Sequence, residues 1–305
     1  MKATPGFRHP LVRSLAWLIG SPGLLAGPPD RGGAVIVADA WCAGALEESR
    51  TFLNALDDSP GELEAAVAAC KSRRLGHVAE CLIAFWLERS DRFELLARNL
   101  AVRESGRTLG EFDLVFIDRR EGTAVHWEMA VKFYLRRRAC ADFLGPEGRD
   151  TLAHKVGRIF SHQLGLGGTP AGRAALAGVC DGKVISRAFV KGWLFHPEDE
   201  QPEGDQVNPN HQRGWWRTLQ EFRLSAGRAG GRYCIVERAE WIGGPLEADS
   251  GDTFDGGEIM SLVGARLASG GRALMVAQFA PDGVRWRERG RGFVVPDLWG
   301  ADAAG

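Results

Sequence analysis

Two neighbouring segments constrain this chain more than any other feature. Residues 110–118 and 123–135 both alternate with a period of two, and only Arg119, Arg120, Glu121 and Gly122 separate them. A period of two dictates β-strands, and a four-residue link dictates a hairpin. On the second strand His126, Glu128, Ala130, Lys132 and Tyr134 fall on one face, and Val125, Trp127, Met129, Val131 and Phe133 on the other. On the first strand Glu111 and Asp113 share a face, opposite Phe112, Leu114 and Phe116. Each strand therefore has one apolar face and one that carries charges. If the link is the whole loop, Asp118 pairs with Thr123. Asp113 then stands opposite Glu128, and Glu111 opposite Ala130. Opposed residues place their Cβ atoms roughly 4.5–5.5 Å apart. Two carboxylates that close repel, and a hard divalent cation such as Mg²⁺ or Mn²⁺ removes the repulsion. The plainer alternative is a half-exposed sheet face of solvated charges with a diagonal Glu111–Lys132 ion pair.

The surroundings of the hairpin give a core of helix, three strands, helix, strand. An apolar stripe of Leu75, Val78, Leu82 and Trp86 predicts a helix over 74–89. Residues 93–102 predict a first strand. After the hairpin, Asp150 reads as the cap of a helix running to 164, and 184–195 read as a further strand. Before this core, residues 1–73 read as a helical extension, with helices over 9–20 and 44–56 and a third begun by Ser59, Pro60 and Glu62. Residues 34–39 read as a short strand or a buried apolar turn. After the core, 197–305 read as a Trp-rich α+β extension packed on it. There we expect a polar loop over 197–212, helices over 214–224 and 258–267, a strand over 233–241 and a closing hairpin. The fold class is α/β.

These residues resemble the PD-(D/E)XK nuclease superfamily, whose members share a restriction-endonuclease-like core of that element order. More closely, the chain is similar to the bacterial family known as domain of unknown function 1853. The similarity lies in HPLVRSLAW (9–17), TLGEFD (108–113), HWEMAVKFY (126–134) and RGFVVPD (291–297). The superfamily resemblance implies that Asp113 binds a metal and that Lys132 orients or polarises the attacking water. It also gives Glu80, on the preceding helix, and Gln163, on the following one, as site residues. The usual pattern has an acid two residues before the lysine, where this chain has Ala130. Either Glu128 or Glu111 supplies the missing carboxylate, or the fold persists as a binding or scaffold module. If active, the protein would use Mg²⁺ or Mn²⁺ to hydrolyse DNA phosphodiesters.

Charge fits an enzyme better than a nucleic-acid coat protein. The chain has 38 basic and 39 acidic residues, net −1, where a coat protein is strongly basic. Arg136, Arg137 and Arg138, followed by Lys155 and Arg158, form a candidate phosphate-contacting edge. His126 reads as a structural hydrogen-bonding residue, and His154 and His162 as surface residues. The 10 Trp read mainly as packing residues. The Gly165, Gly167, Gly168 cluster lacks the strand before and helix after that a phosphate cradle needs. Six scattered cysteines form no C-x-x-C pair. Cys81 and Cys234 read as buried free thiols in a reducing compartment. Lys2, Arg8 and Arg13 precede an apolar run over 14–26, but Gly20, Pro22 and Gly23 break it, so we expect no leader. No run reaches membrane-spanning length. A cytoplasmic protein with no membrane partner is the expectation.

Overall fold

The computed structural model describes residues 6–26, 35–138, 142–197, 207–226, 231–270 and 273–300. Lys2, Ala34, Cys140 and the centre of the 197–212 loop lie outside these. The chain begins with five helices: α1 (Pro10–Gly20), α2 (Asp39–Glu48), α3 (Arg50–Asp58), α4 (Gly61–Ala68) and α5 (Leu75–Arg89). Three antiparallel strands follow, β1 (Phe93–Glu104), β2 (Arg107–Asp118) and β3 (Thr123–Arg136), then a short β4 (Phe143–Leu144). Next come α6 (Leu152–Arg158), α7 (Pro170–Ala177) and β5 (Val184–His196). The remainder is β6 (Gln212–Thr218), α8 (Leu219–Ala226), β7 (Arg232–Val236), β8 (Glu247–Ala248), α9 (Gly256–Gly270), β9 (Leu274–Asp282) and β10 (Arg285–Val295).

The ten strands of the described residues form one mixed sheet in the order β1-β2-β3-β5-β6-β10-β9-β7, with β4 on β3 and β8 on β10. β5 runs parallel to β3 and to β6, and β6 parallel to β10. The C-terminal strands thus continue the sheet edge to edge through the β5–β6 seam. On one face the helices before β1 bury Leu15, Trp17, Leu53, Leu82 and Trp86 against Phe116, Trp127, Met129, Phe133 and Phe195. Trp127 stacks on Phe189 with ring centroids 4.4 Å apart and meets Trp41 edge-on. On the other face Leu152, Val156 and Ile159 cover Ala130, Tyr134 and Val190. Phe222, Ile259 and Val263, from α8 and α9, cover Val276 and Val294. The result is an α/β/α stack with the sheet in the middle.

Several local expectations give way. Residues 44–56 divide into α2 and α3 at Ser49. The Trp-rich stretch at 214–224 begins as β6, because pairing from Gln212 with Trp193 to Trp215 with His196 already places it beside β5, and turns helical only at Leu219. Thr151, and not Asp150, caps α6, its Oγ1 accepting the His154 N–H at 3.2 Å. α6 does not run to 164 as an α-helix. It passes into a π turn over Ile159–Gln163, closed by Leu164 N–H to Ile159 O at 3.0 Å. Ile36 bridges to Ala188, so the 34–39 segment adds one bridge to the sheet before α2 begins. Cys81 is not a free thiol. α4 and α5 fold back on each other and bring Cys70 and Cys81 together as a disulfide, with Cα atoms 6.6 Å apart. A disulfide at this position removes the basis for expecting a reducing compartment. Cys234 is half-buried and free, and burial pushes its thiol up to about 12. Among the described residues no helix is long and apolar enough to cross a membrane.

Candidate functional site

The expected register holds up to a point. Asp118 faces Thr123, and the ladder continues to Leu114 opposite Trp127. There it stops. β2 turns away from β3, and Glu111 pairs with Ala101 of β1 instead of lying opposite Ala130. Beside the end of the ladder, in β1, Asn99, flanked by the Arg98–Leu114 and Leu100–Phe112 pairs, adopts a left-handed φ of 48°. Asparagine tolerates this conformation better than most residues. The distortion breaks the alternation of β2 at Asp113. Phe112 packs edge-on against His126 at 4.8 Å, with Leu166 and Leu176 nearby. Leu114 packs on the opposite face with the α1–α5 helices. Phe112 and Leu114 therefore do not share a face, and neither do Glu111 and Asp113 behave as one charged row.

Asp113 fills the fork between the strands. Its Oδ2 accepts the Met129 N–H at 2.7 Å, a bond that replaces the missing ladder partner. Glu128 is buried beside it. The Gln163 amide donates to both Glu128 oxygens, at 3.2 and 3.3 Å. The π turn delivers that amide, and such turns recur at functional sites. Lys155 Nζ stands 3.9 Å from Glu128 Oε1. Burial, and then the Glu128 charge, push Asp113 up to about 8. Burial also raises Glu128, although Lys155 and Gln163 pull the other way. Glu80 comes from α5. Burial raises it too, and Asn99 Nδ2 lies 3.5 Å from its Oε2.

A cavity of about 480 Å³ opens where β2 leaves β3. Glu80, Lys132 and Lys155 line it, together with Arg74, His77 and Arg149. Lys132 is not diagonal to Glu111. Its Nζ bonds Asp150 Oδ2 at 2.6 Å, and the Tyr134 hydroxyl donates to the same oxygen at 3.0 Å. Sequence reasoning missed Asp150 in this role because it reads as a helix cap. Arg74 and His77, at the start of α5, and Arg238, far along the sequence, all reach the cavity, and no local pattern marks them.

The arginine run does not line this cavity. Arg138 pairs with Glu221 at 2.7 Å and lies 4.6 Å over the Trp216 ring. The Arg137 N–H bonds Asp142 O. Arg158 is exposed on α6, and its charge reaches Glu128. His126 is fully buried, bonds Ser186 Oγ at 3.1 Å and is pulled down to about 3 by burial. His154 and His162 are exposed.

The donors suit a cation in one respect and not in another. Two buried carboxylates of raised proton affinity call for a proton or a cation between them. Yet among the described residues no group of three His, Cys, Asp or Glu side chains is arranged to hold a metal. Any ion would lean on two protein carboxylates and on water.

The family model described as Domain of unknown function (DUF1853) matches residues 13–295. The chain belongs to the DUF1853 family. The match runs from α1 to the end of β10, so this DUF1853 chain carries the helices, the fork and the C-terminal strands as parts of one family unit. No curated protein and no solved structure matches the chain.

Proposed function

We propose that this DUF1853 protein is a divalent-cation-dependent hydrolase of DNA phosphodiesters on a restriction-endonuclease-like core. The observation that carries the reading is the Asp113–Glu128 pair, two buried carboxylates set behind a cavity rimmed with cations. The element order supports it: α5, then β1–β3 antiparallel, α6, and β5 parallel to β3. Asp113 and Glu128 would hold Mg²⁺ or Mn²⁺, which supplies Lewis acidity toward a phosphoryl oxygen. Gln163 fixes the plane of the Glu128 carboxylate through both oxygens. Lys155, facing Glu128, supplies positive charge toward an entering phosphate. Glu80 opens on the cavity, and its raised proton affinity suits it to take or give a proton there. Glu111, paired with Ala101 of β1, adds a charge that helps to raise Asp113 and Glu80.

A second reading is a binding module that no longer cuts. The absence of a three-ligand group among the described residues favours it, as does the Lys132–Asp150 bond, which ties up the lysine of the superfamily pattern.

Incubation with single-stranded and duplex DNA plus Mn²⁺ separates the two. Under the first reading the wild type cleaves, and Glu128→Gln lowers the rate at least about a hundredfold, since even residues supporting metal ligands are worth 10–100-fold. DNA binding without cleavage, together with calorimetry that detects no Mn²⁺, supports the second.

A further inference from the structure

Beyond Trp127, no strand among the described residues pairs with β3 on its β2 side until Leu135 meets Leu144 of β4. Backbone groups alternate sides along a strand. The Met129 N–H points to the β2 side, toward Asp113, and Leu135 pairs with β4 on that side. Val131 and Phe133 therefore turn their N–H and C=O the same way, and both residues line the cavity. The cavity wall is an open strand edge that presents donors and acceptors in alternation.

We infer that this cavity binds one unpaired nucleotide of the substrate, its base hydrogen-bonded to the open edge of β3 and its phosphate held by Lys155 and Arg149. The cleavage step rests on the function proposed above, and the binding does not. Three features favour this occupant. The edge of every nucleobase offers donors or acceptors that an alternating strand edge can match. Trp241, Tyr134 and Phe133 add aromatic surface to the cavity, and aromatic surface binds bases without regard to sequence. The volume of about 480 Å³ falls within the roughly 300–1,000 Å³ of a small-ligand site. It has room for a nucleotide but not for a stretch of stacked duplex. An extended peptide could also pair with such an edge, but the cations around it favour an anion.

Gly76 provides the test. It lies on α5 in the cavity wall, and a Cβ added there meets nothing within 4 Å. Gly76→Leu projects a side chain from this open Cβ position in the cavity wall and improves helix propensity. Calorimetry with each nucleoside 5′-monophosphate, in EDTA, is expected to show binding to wild type that Gly76→Leu weakens at least tenfold, with the thermal midpoint unchanged or raised. Inorganic phosphate should bind more weakly than any nucleotide. The inference is overturned if nucleotides do not bind, if Gly76→Leu binds them equally well, or if phosphate alone matches them. Nucleotide binding without any DNA cleavage keeps the inference and sinks the hydrolase. Cleavage of closed circular duplex as fast as single strands does the reverse.

Discussion

Asp113→Asn is expected to stabilise the protein at pH 9 and to do so much less at pH 5. In the folded chain burial and Glu128 raise the carboxyl from 3.8 to about 8. Between those values the folded state holds a proton that the unfolded state has released. Stability from this group is therefore complete below pH 3.8 and is lost as pH rises through 8. At about 1.4 kcal/mol per pH unit, the full window from 3.8 to about 8 is worth at most about 6 kcal/mol. Asparagine keeps an oxygen for the Met129 N–H and gains an amide that can donate to Glu128, without the buried charge. A rise in thermal midpoint on the order of 5 °C at pH 9 is expected, measured by calorimetry across pH 5–9. A midpoint difference that does not change with pH would remove the argument for a proton-sharing pair. If a cation takes the place of the proton, Mn²⁺ at pH 8 should raise the wild-type midpoint and leave that of Asp113→Asn nearly unmoved.

The second large effect lies far from the cavity. Arg291 is fully buried and bidentate to Glu288, at 2.7 and 2.8 Å. The same guanidinium donates to Gly244 O at 3.0 Å and lies 5.0 Å over the Trp193 ring. Glu288 in turn accepts the Leu246 N–H. One arginine thus fastens β5, β10 and the chain after Trp241. Arg291→Met leaves the Glu288 charge buried and without its partner. The expected loss is about 3–5 kcal/mol, read from the urea midpoint. Arg291→Lys should also lose stability, because an ammonium cannot reproduce the fork of donors. Adding Glu288→Leu to Arg291→Met should recover much of the loss. If the double variant is as unstable as the single, the lost packing of the arginine stem, and not the stranded charge, is responsible.

The hairpin shows what was legible in the sequence and what was not. Alternation and a four-residue link are local, so the strands, the turn and the Asp118–Thr123 register could be read directly. The end of the ladder could not. It coincides with the left-handed Asn99 in a neighbouring strand, a tertiary circumstance that leaves no mark on the sequence of β2. Gln163 was legible as a sheet-facing residue because it shares the stripe of Leu152, Val156 and Ile159. Its bond to Glu128 was not, because it comes from a π turn. Asp150 looked like a cap because acids favour that position, and only the fold reveals that Lys132 takes it. The RGFVVPD segment carries the family resemblance through a residue whose work is structural: Arg291 is sealed inside the protein, and its acid partner is Glu288, not Asp113 or Glu128.

The π turn over Ile159–Gln163 carries one more consequence. A π turn is an α-helix with a single extra residue. In a chain shortened by one residue here, for example by deleting the exposed Ser161, the helix would close as an ordinary α-helix. Gln163 would lose the bulged backbone that carries its amide to both oxygens of Glu128. The grip on that carboxylate is thus written in an insertion, and two chains with the same residue types could differ in it by length alone.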